Sequence, residues 1–553
     1  METVTSGLST IDYVIFGIYA IVVLVIALSA SRKNHKSAEG YFLAGKSIPW
    51  WAVGASLIAA NISAEQFIGM SGSGYAIGMG IAAYEIMAAV TLILVGKYFI
   101  PIFIEKGIYT IPEFVEKRFN KTLKTILAIF WISLYILVNL TSVLYLGGLA
   151  LETILGIPLM YSILGLAAFA LLYSVYGGLS AVVWTDVIQV AVLVIGGFAT
   201  SYVALKWIGQ GEGFMAGWST LVQDIPEHFE MILDRSNPNF SQLPGISVLI
   251  GGLWVTNLYY WGFNQYIIQR TFAAKSIHEA QTGLVFAGFL KLIIPLICVI
   301  PGIAAYYITV HNPALLDSLK EQYGNIVANN IPTADHPDKS YPWVAQLLPT
   351  GLKGVVFAAL AAAIVSSLAS MLNSTATIFT MDIYKEYINK SASDVSLVRV
   401  GRLTAIVALA IAIFIAPLLS SLGQAFQFIQ EYTGVVSPGI LSVFLCGLFY
   451  NKANSKGAVV GVLCSIVIAF LLKFLPLQMG FLDQMFYNWI LTTAIIAFVS
   501  LSTNNGDDDP KAIITTAKTF KTTGGFAIAS YAILIIVAVI YTAFWNVQLG
   551  WAL

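Results

Sequence analysis

Apolar stretches of about 20 residues, the length that crosses a ~30 Å hydrocarbon core as a helix, recur along nearly the whole chain. With 58% hydrophobic and 10% charged residues and a mean hydropathy of +0.82, the 553-residue chain carries more apolar side chains than soluble cores require. About fourteen spans are expected, at 11–31, 50–71, 80–104, 122–153, 159–176, 182–207, 246–270, 280–309, 352–380, 400–420, 424–449, 455–475, 482–501 and 526–546. None of the stretches alternates with the dyad period of a membrane barrel. The expected fold class is therefore an all-α polytopic membrane protein in a lipid bilayer.

Basic residues orient it. Every second loop is rich in Lys and Arg, beginning with Arg32, Lys33, Lys36 and Lys46, continuing through Lys106, Lys117, Arg118, Lys121 and Lys124, and including Arg270 and Lys275 as a third group. Lys385, Lys390, Arg399, Arg402, Lys452, Lys456, Lys511, Lys518 and Lys521 complete the set. These loops should face the cytoplasm, which leaves both termini outside. Two long acidic and proline-rich loops, 208–245 and 310–351, then fall on the outer side, where they are suited to covering an entrance. The charge that flanks the first span follows the apolar run, so that span reads as an uncleaved helix and not as a signal peptide.

Several function classes fall away. The stretch Gly40 to Ser47 satisfies the phosphate-loop pattern, but it follows a lysine-rich loop and precedes Pro49-Trp50-Trp51 where a strand and a helix are required, so nucleotide binding is rejected. There is no HExxH or GxSxG, and the five histidines are scattered, so no enzyme is expected. Cys298, Cys446 and Cys464 lack CxxC spacing, and zero net charge argues against nucleic acid.

Polar residues inside the spans carry the functional argument. Glu85 and Lys291 interrupt apolar helices, where a lone charge costs a few kcal/mol. Paired, they neutralise each other, and a polyhydroxylated solute between them receives both donors and acceptors; a purely structural ion pair is the alternative. The strings from Ala59 to Gln66 and from Asn257 to Gln265 lie five spans apart and so run in opposite directions, as in an inverted repeat whose first helices are broken. Unwound backbone exposes carbonyls, and Ser366 and Ser367 place two hydroxyls on a helix of small residues. A cage of neutral oxygens suits a monovalent hard cation, sodium being the natural candidate. Small-residue packing is the competing reading of the serine pair.

The stretches YFLAGKSIPWWAVGASLIAANISAEQFIGMSGSGY, GKYFIPIFIEKGIYTIPEFVEKRFNK, NLYYWGFNQYIIQR, AAAIVSSLASMLNSTATIFTMDIYKEY and FQFIQEYTGVVSPGI resemble the sodium/solute symporter family, in particular its bacterial sodium/galactose, sodium/glucose-type branch. The resemblance runs over essentially the whole chain. It implies a LeuT-like core of two inverted five-helix repeats, each with a discontinuous first helix. Residues 1–49 would form a leading helix and basic loop, 50–449 the core (repeats 50–207 and 246–449), and 450–553 three additional helices.

Carried over residue by residue, the resemblance implies a sodium site of Ala59, Ile62 and Ala363 carbonyls with Ser366 and Ser367 hydroxyls, and Asp186 as a carboxylate on the sodium exit route. It implies a sugar site of Gln66, Glu85, Asn257, Lys291 and Gln430, with Asn61 close by. Tyr260, beside Trp261, would be the inner gate, while Met70, Tyr84 and Phe426 would cover the outer side. Where that branch carries a serine three residues after the site glutamate, this chain has Ala88. The implied function is sodium-coupled symport of galactose or glucose by alternating access in a bacterial inner membrane. A symporter of the same family for proline, pantothenate or sialic acid, a passive channel and a membrane sensor are the alternatives.

Overall fold

The computed structural model describes residues 8–31, 44–108, 110–243, 245–421, 425–475 and 479–545. Among the described residues it is helical throughout, with two isolated bridges, Ile48 to Ala274 and Thr333 to His336, and no named strand. Eleven helices among the described residues are long and apolar enough to cross a membrane. Of the expected spans not among them, 50–71 and 246–270 are interrupted, and 159–176 runs into residues 172–178, whose side chains lie outside the described residues.

The interruptions are specific. The first broken helix stops at Asn61, where Ile62 turns extended (φ −73°, ψ 91°), and resumes as a π-helical turn, Glu65–Met70, followed by Ser71–Ile77. Ser63 N–H, which would have closed the next turn on the Ala59 carbonyl, is taken by Gln66 Oε1 at 3.0 Å. A side chain thus replaces a backbone acceptor and the helix cannot continue. The second broken helix, Leu253–Phe263, stops at extended Asn264 (φ −90°, ψ 116°) and resumes as Gln265–Phe272. The break lies at Asn264 and not at Asn257, which is helical and donates to Leu253 O at 3.0 Å.

The helical element Leu159–Ile208 holds both expected spans, 159–176 and 182–207. Its two ends meet the same segment, Ile154, just ahead of it, lying beside Lys353 and Trp207 beside Leu352, so the chain doubles back within it. One sequence expectation needs correction. Arg270 is no loop residue: it belongs to Gln265–Phe272 and is 1% exposed. Within the phosphate-loop look-alike, residues 40–43 lie outside the described residues, and Ala44–Lys46 form a short 3-10 turn with Gly45 at φ 61°.

Glycines set the spacing of the core. A Cβ on Gly54 would sit 2.6 Å from Gly283 O, and one on Gly302 1.9 Å from Ser71 O. The helix Ile277–Tyr306, which bears Lys291, therefore lies with its backbone almost against both halves of the first broken helix. At its start, Glu279 Oε2 accepts from Trp50 N–H at 2.5 Å. Opposite, every residue of Leu352–Ile378 from Val356 onward is buried, as befits a helix of Ala and Ser enclosed on all sides. At the basic end, buried Arg118 donates to the carbonyls of Gly447 (2.9 Å), Tyr450 (3.2 Å) and Ala453 (2.8 Å), tying the early helices to the late ones.

Candidate functional site

A cavity opens where the two breaks face each other. Its wall takes Asn61, Glu65 and Gln66 from the first broken helix, and Asn257, Tyr260, Trp261 and Asn264 from the second. Tyr84, Glu85 and Ala88 come from Ala83–Leu94, Lys291 from Ile277–Tyr306, and Phe426 and Gln430 from Ala425–Phe449.

The charged centre is a bonded group. Lys291 Nζ donates to both Glu85 Oε2 and Asn61 Oδ1, with the ion-pair side chains 1% and 4% exposed. The same ammonium lies 4.9 Å over the Trp261 ring, a cation–π contact that strengthens out of water. Asn61 spends its other end on the second broken helix, Nδ2 donating to Tyr260 Oη at 3.0 Å, and that hydroxyl lies 2.6 Å from Tyr266 Oη. One amide thereby joins the ion pair to the tyrosine expected at the gate. Gln66, Asn257 and Gln430 add neutral amides to the same wall, so the cavity offers donors and acceptors at several angles beside aromatic faces. That mixture suits a small polyhydroxylated ring.

On the side of the long loops the cavity is covered. Tyr84 and Phe426 meet edge to face at 5.4 Å, and Phe426 Cβ would lie 3.0 Å from a Cβ on Gly69. Met70 is fully buried and is not among the residues lining the cavity. The loops reach this cover, Asn239 Nδ2 donating to Ala76 O at 2.9 Å and Tyr75 Oη to Pro332 O at 3.1 Å.

Asp338, in the second long loop, seals it. Its Oδ2 accepts from Ala425 N–H at 3.0 Å at the start of the Phe426 helix, and a Cβ on Gly72 would lie 2.3 Å from its Oδ1. Burial pushes the Asp338 carboxyl up from 3.8 to about 7. Between about pH 4 and pH 7 the packed protein holds a proton that the opened chain gives up, so its stability falls as pH rises through that window and levels off above about 7. The expected size is on the order of a few kcal/mol. Thermal melting of detergent-solubilised protein from pH 5 to 8 should therefore fall more steeply in wild type than in Asp338→Asn. Parallel melting curves would contradict this.

The expected sodium residues lie off the cavity wall, on the first broken helix and the serine helix. Ala59, Ile62, Ala363, Ser366 and Ser367 are all fully buried. Ser367 Oγ donates to Ala60 O at 3.0 Å, pinning the serine helix to the broken one beside the Ala59 carbonyl that has lost its helical donor. Ser366 Oγ donates to Asp186 Oδ1 at 2.6 Å, which directs its lone pairs away from the carboxylate. These are neutral oxygens on two elements, and they fit a small monovalent cation arriving as cargo. Asp186 is held by Ser56 Oγ (2.5 Å) and Arg270 Nη2 (3.4 Å).

Several residues of both groups escape the sequence reading. Arg270 was masked by its place at a span end, and Ser56 looks like any small helix residue. Glu65, Asn139 and Asn264 line the cavity. Glu65 carried the better signal, being a carboxylate in an apolar run much as Glu85 is.

Comparison with known proteins agrees with this architecture. Residues 41–465 match the sodium:solute symporter family. A sodium/glucose cotransporter of Vibrio parahaemolyticus is 68% identical over 548 residues, 99% of this chain and 100% of its own length. The human sodium/myo-inositol cotransporter 2 is 32% identical, covering 89% of this chain and 76% of that one. Among solved structures, a Na+-coupled sialic acid symporter in a substrate-bound outward-open state superposes with a TM-score of 0.76 over 89% of this chain and 98% of its own, at 24% identity, a likeness of fold. A breached pair of helices around a charged, amide-rich cavity, an all-helical membrane fold and these matches lead to one assignment: the chain belongs to the sodium:solute symporter family and is a transporter, not an enzyme.

Proposed function

We propose that the protein couples sodium influx to the uptake of a hexose, galactose or glucose, by alternating access across a bacterial plasma membrane. The observation that carries the reading is the bonded group Glu85–Lys291–Asn61–Tyr260, which places charges and an amide on a cavity between two broken helices. In this reading the chain crosses the membrane fourteen times with both termini outside, and its core is two inverted repeats, 50–207 and 246–449. Sodium enters from outside among Ala59, Ile62, Ala363, Ser366 and Ser367, and holds the first broken helix against the serine helix, which favours a formed sugar site. Gln66, Glu85, Asn257, Lys291, Gln430 and Asn61 bind the hydroxyls, while Tyr260 and Trp261 offer ring faces. The sugar leaves inward when the Asn61–Tyr260 bond opens, and sodium leaves past Asp186.

One sodium suffices energetically. A unit charge gains ~2.3 kcal/mol across 100 mV and a tenfold gradient adds ~1.4, enough for about 500-fold accumulation at one-to-one coupling. Uptake of labelled galactose and glucose into proteoliposomes, with myo-inositol as competitor, tests the reading. It requires uptake that responds to sodium and to voltage; uptake indifferent to both defeats it.

Ala88 lines the cavity one turn from Glu85. Ala88→Ser restores a hydroxyl to the wall, and a neutral hydrogen bond is worth roughly 0.5 to 1.5 kcal/mol. Galactose affinity should change severalfold. Unaltered affinity for every hexose tested removes Ala88 from the specificity argument.

A further inference from the structure

Three charged side chains line the cavity: Glu65, Glu85 and Lys291. Glu85 and Lys291 neutralise each other, which leaves Glu65 over. It is 9% exposed, and among the described residues no Lys, Arg or His pairs with it. An uncompensated carboxylate at membrane depth is costly enough that something must supply the opposite charge.

Its surroundings supply oxygens. Ser142 Oγ lies 3.1 Å from Glu65 Oε1 and also 3.0 Å from the Asn139 main-chain carbonyl. A hydroxyl has one proton, so it serves one of these acceptors at a time, and whenever it serves Asn139 its own oxygen faces the carboxylate. Asn139 lines the same cavity and is 6% exposed; its side-chain amide donates to Glu65, while its Oδ1 has no donor. Carboxylate, hydroxyl and an unpartnered amide oxygen therefore gather on one stretch of wall.

We propose that Glu65, Ser142 and Asn139 form a second monovalent-cation site on the wall of the solute cavity, separate from the carbonyl and hydroxyl cluster at the serine helix. Hard oxygen donors with one full negative charge take sodium or a proton. Either occupant neutralises the cavity before it closes around a neutral solute. The inference rests on the symport reading above.

The test is solute uptake by the full-length protein in proteoliposomes, measured against sodium at fixed pH and against pH at fixed sodium. Wild type is compared with Glu65→Gln, which keeps shape and loses charge, and with Ser142→Ala, which keeps the charge and loses one oxygen. If the occupant is sodium, wild type responds sigmoidally to sodium, Glu65→Gln hyperbolically, and the Ser142→Ala midpoint moves about threefold or more, the value of one hydrogen bond. If it is a proton, the sodium curves keep one shape, wild-type uptake depends on pH, Glu65→Gln loses that dependence, and Ser142→Ala displaces it. Coincident sodium curves and pH profiles for all three proteins overturn the proposal, as does an inactive Glu65→Gln beside a Ser142→Ala that is wild type in both. Sodium-independent uptake by the wild type would instead overturn the symport reading itself.

Discussion

Lys291→Gln should lower sodium-driven hexose uptake a hundredfold or more, since stripping one partner from a buried ion pair costs about 3–5 kcal/mol. Lys291 and Glu85 are 1% and 4% exposed, so neither charge can turn to water without opening the cavity. The ammonium also holds Asn61 Oδ1 and lies over Trp261, so its loss frees the amide that reaches Tyr260. A structural pair and a solute-binding pair predict different outcomes for the double variant Glu85→Gln/Lys291→Gln. Both charges are then absent, so thermal stability in detergent should return close to wild type, because a neutral pair of similar volume carries no unpaid desolvation. Solute binding should not return, because the cavity has lost its charged donor and acceptor. Wild-type uptake by the single variant would refute the argument, and full recovery of uptake by the double variant would reassign the pair to structure alone.

The sequence exposed most of the membrane architecture because hydrocarbon permits few solutions: apolar runs of span length are helices, and charges inside them are conspicuous. Glu85 and Lys291 were therefore legible as partners before any geometry was known. The precise breaks were less so. Asn61 sits at one, but Asn257 is helical and the second break falls at Asn264, since polarity marks a site without marking which peptide unwinds. Beyond a break the helical phase restarts, so the periodicity that would have turned Glu65 toward the cavity cannot be extended through Ile62 and Ser63. Arg270 was lost for a related reason. A basic residue at a span end has the pattern of an interfacial loop, and only packing distinguishes that from a guanidinium 1% exposed.

That guanidinium sets up the second large effect. Arg270 donates through Nε to Ser56 O (3.1 Å) and Ser56 Oγ (2.8 Å), through Nη1 to Tyr266 O, and through Nη2 to Asp186 and Ser370 Oγ. It thus clamps the first broken helix, the second broken helix and the serine helix at one point, and Tyr266 links it to the Tyr260 hydroxyl. In Arg270→Gln, Asp186 keeps the Ser56 and Ser366 hydroxyls but has no buried counter-charge. A bare carboxylate next to Ser366 then competes for the transported cation, so sodium should be bound more tightly and released more slowly. Maximal uptake should fall at least tenfold, and the sodium concentration giving half-maximal uptake should fall with it, a tenfold change being ~1.4 kcal/mol. The converse variant, Asp186→Asn, leaves a guanidinium that still has carbonyl and hydroxyl acceptors, so its loss should be smaller. The double variant Arg270→Gln/Asp186→Asn removes both charges and should transport faster than Arg270→Gln alone. Uptake measured over a sodium series in all three decides it: a double variant no better than Arg270→Gln, or a single variant whose sodium requirement rises, would show that Arg270 acts on the helices and not through the charge of Asp186.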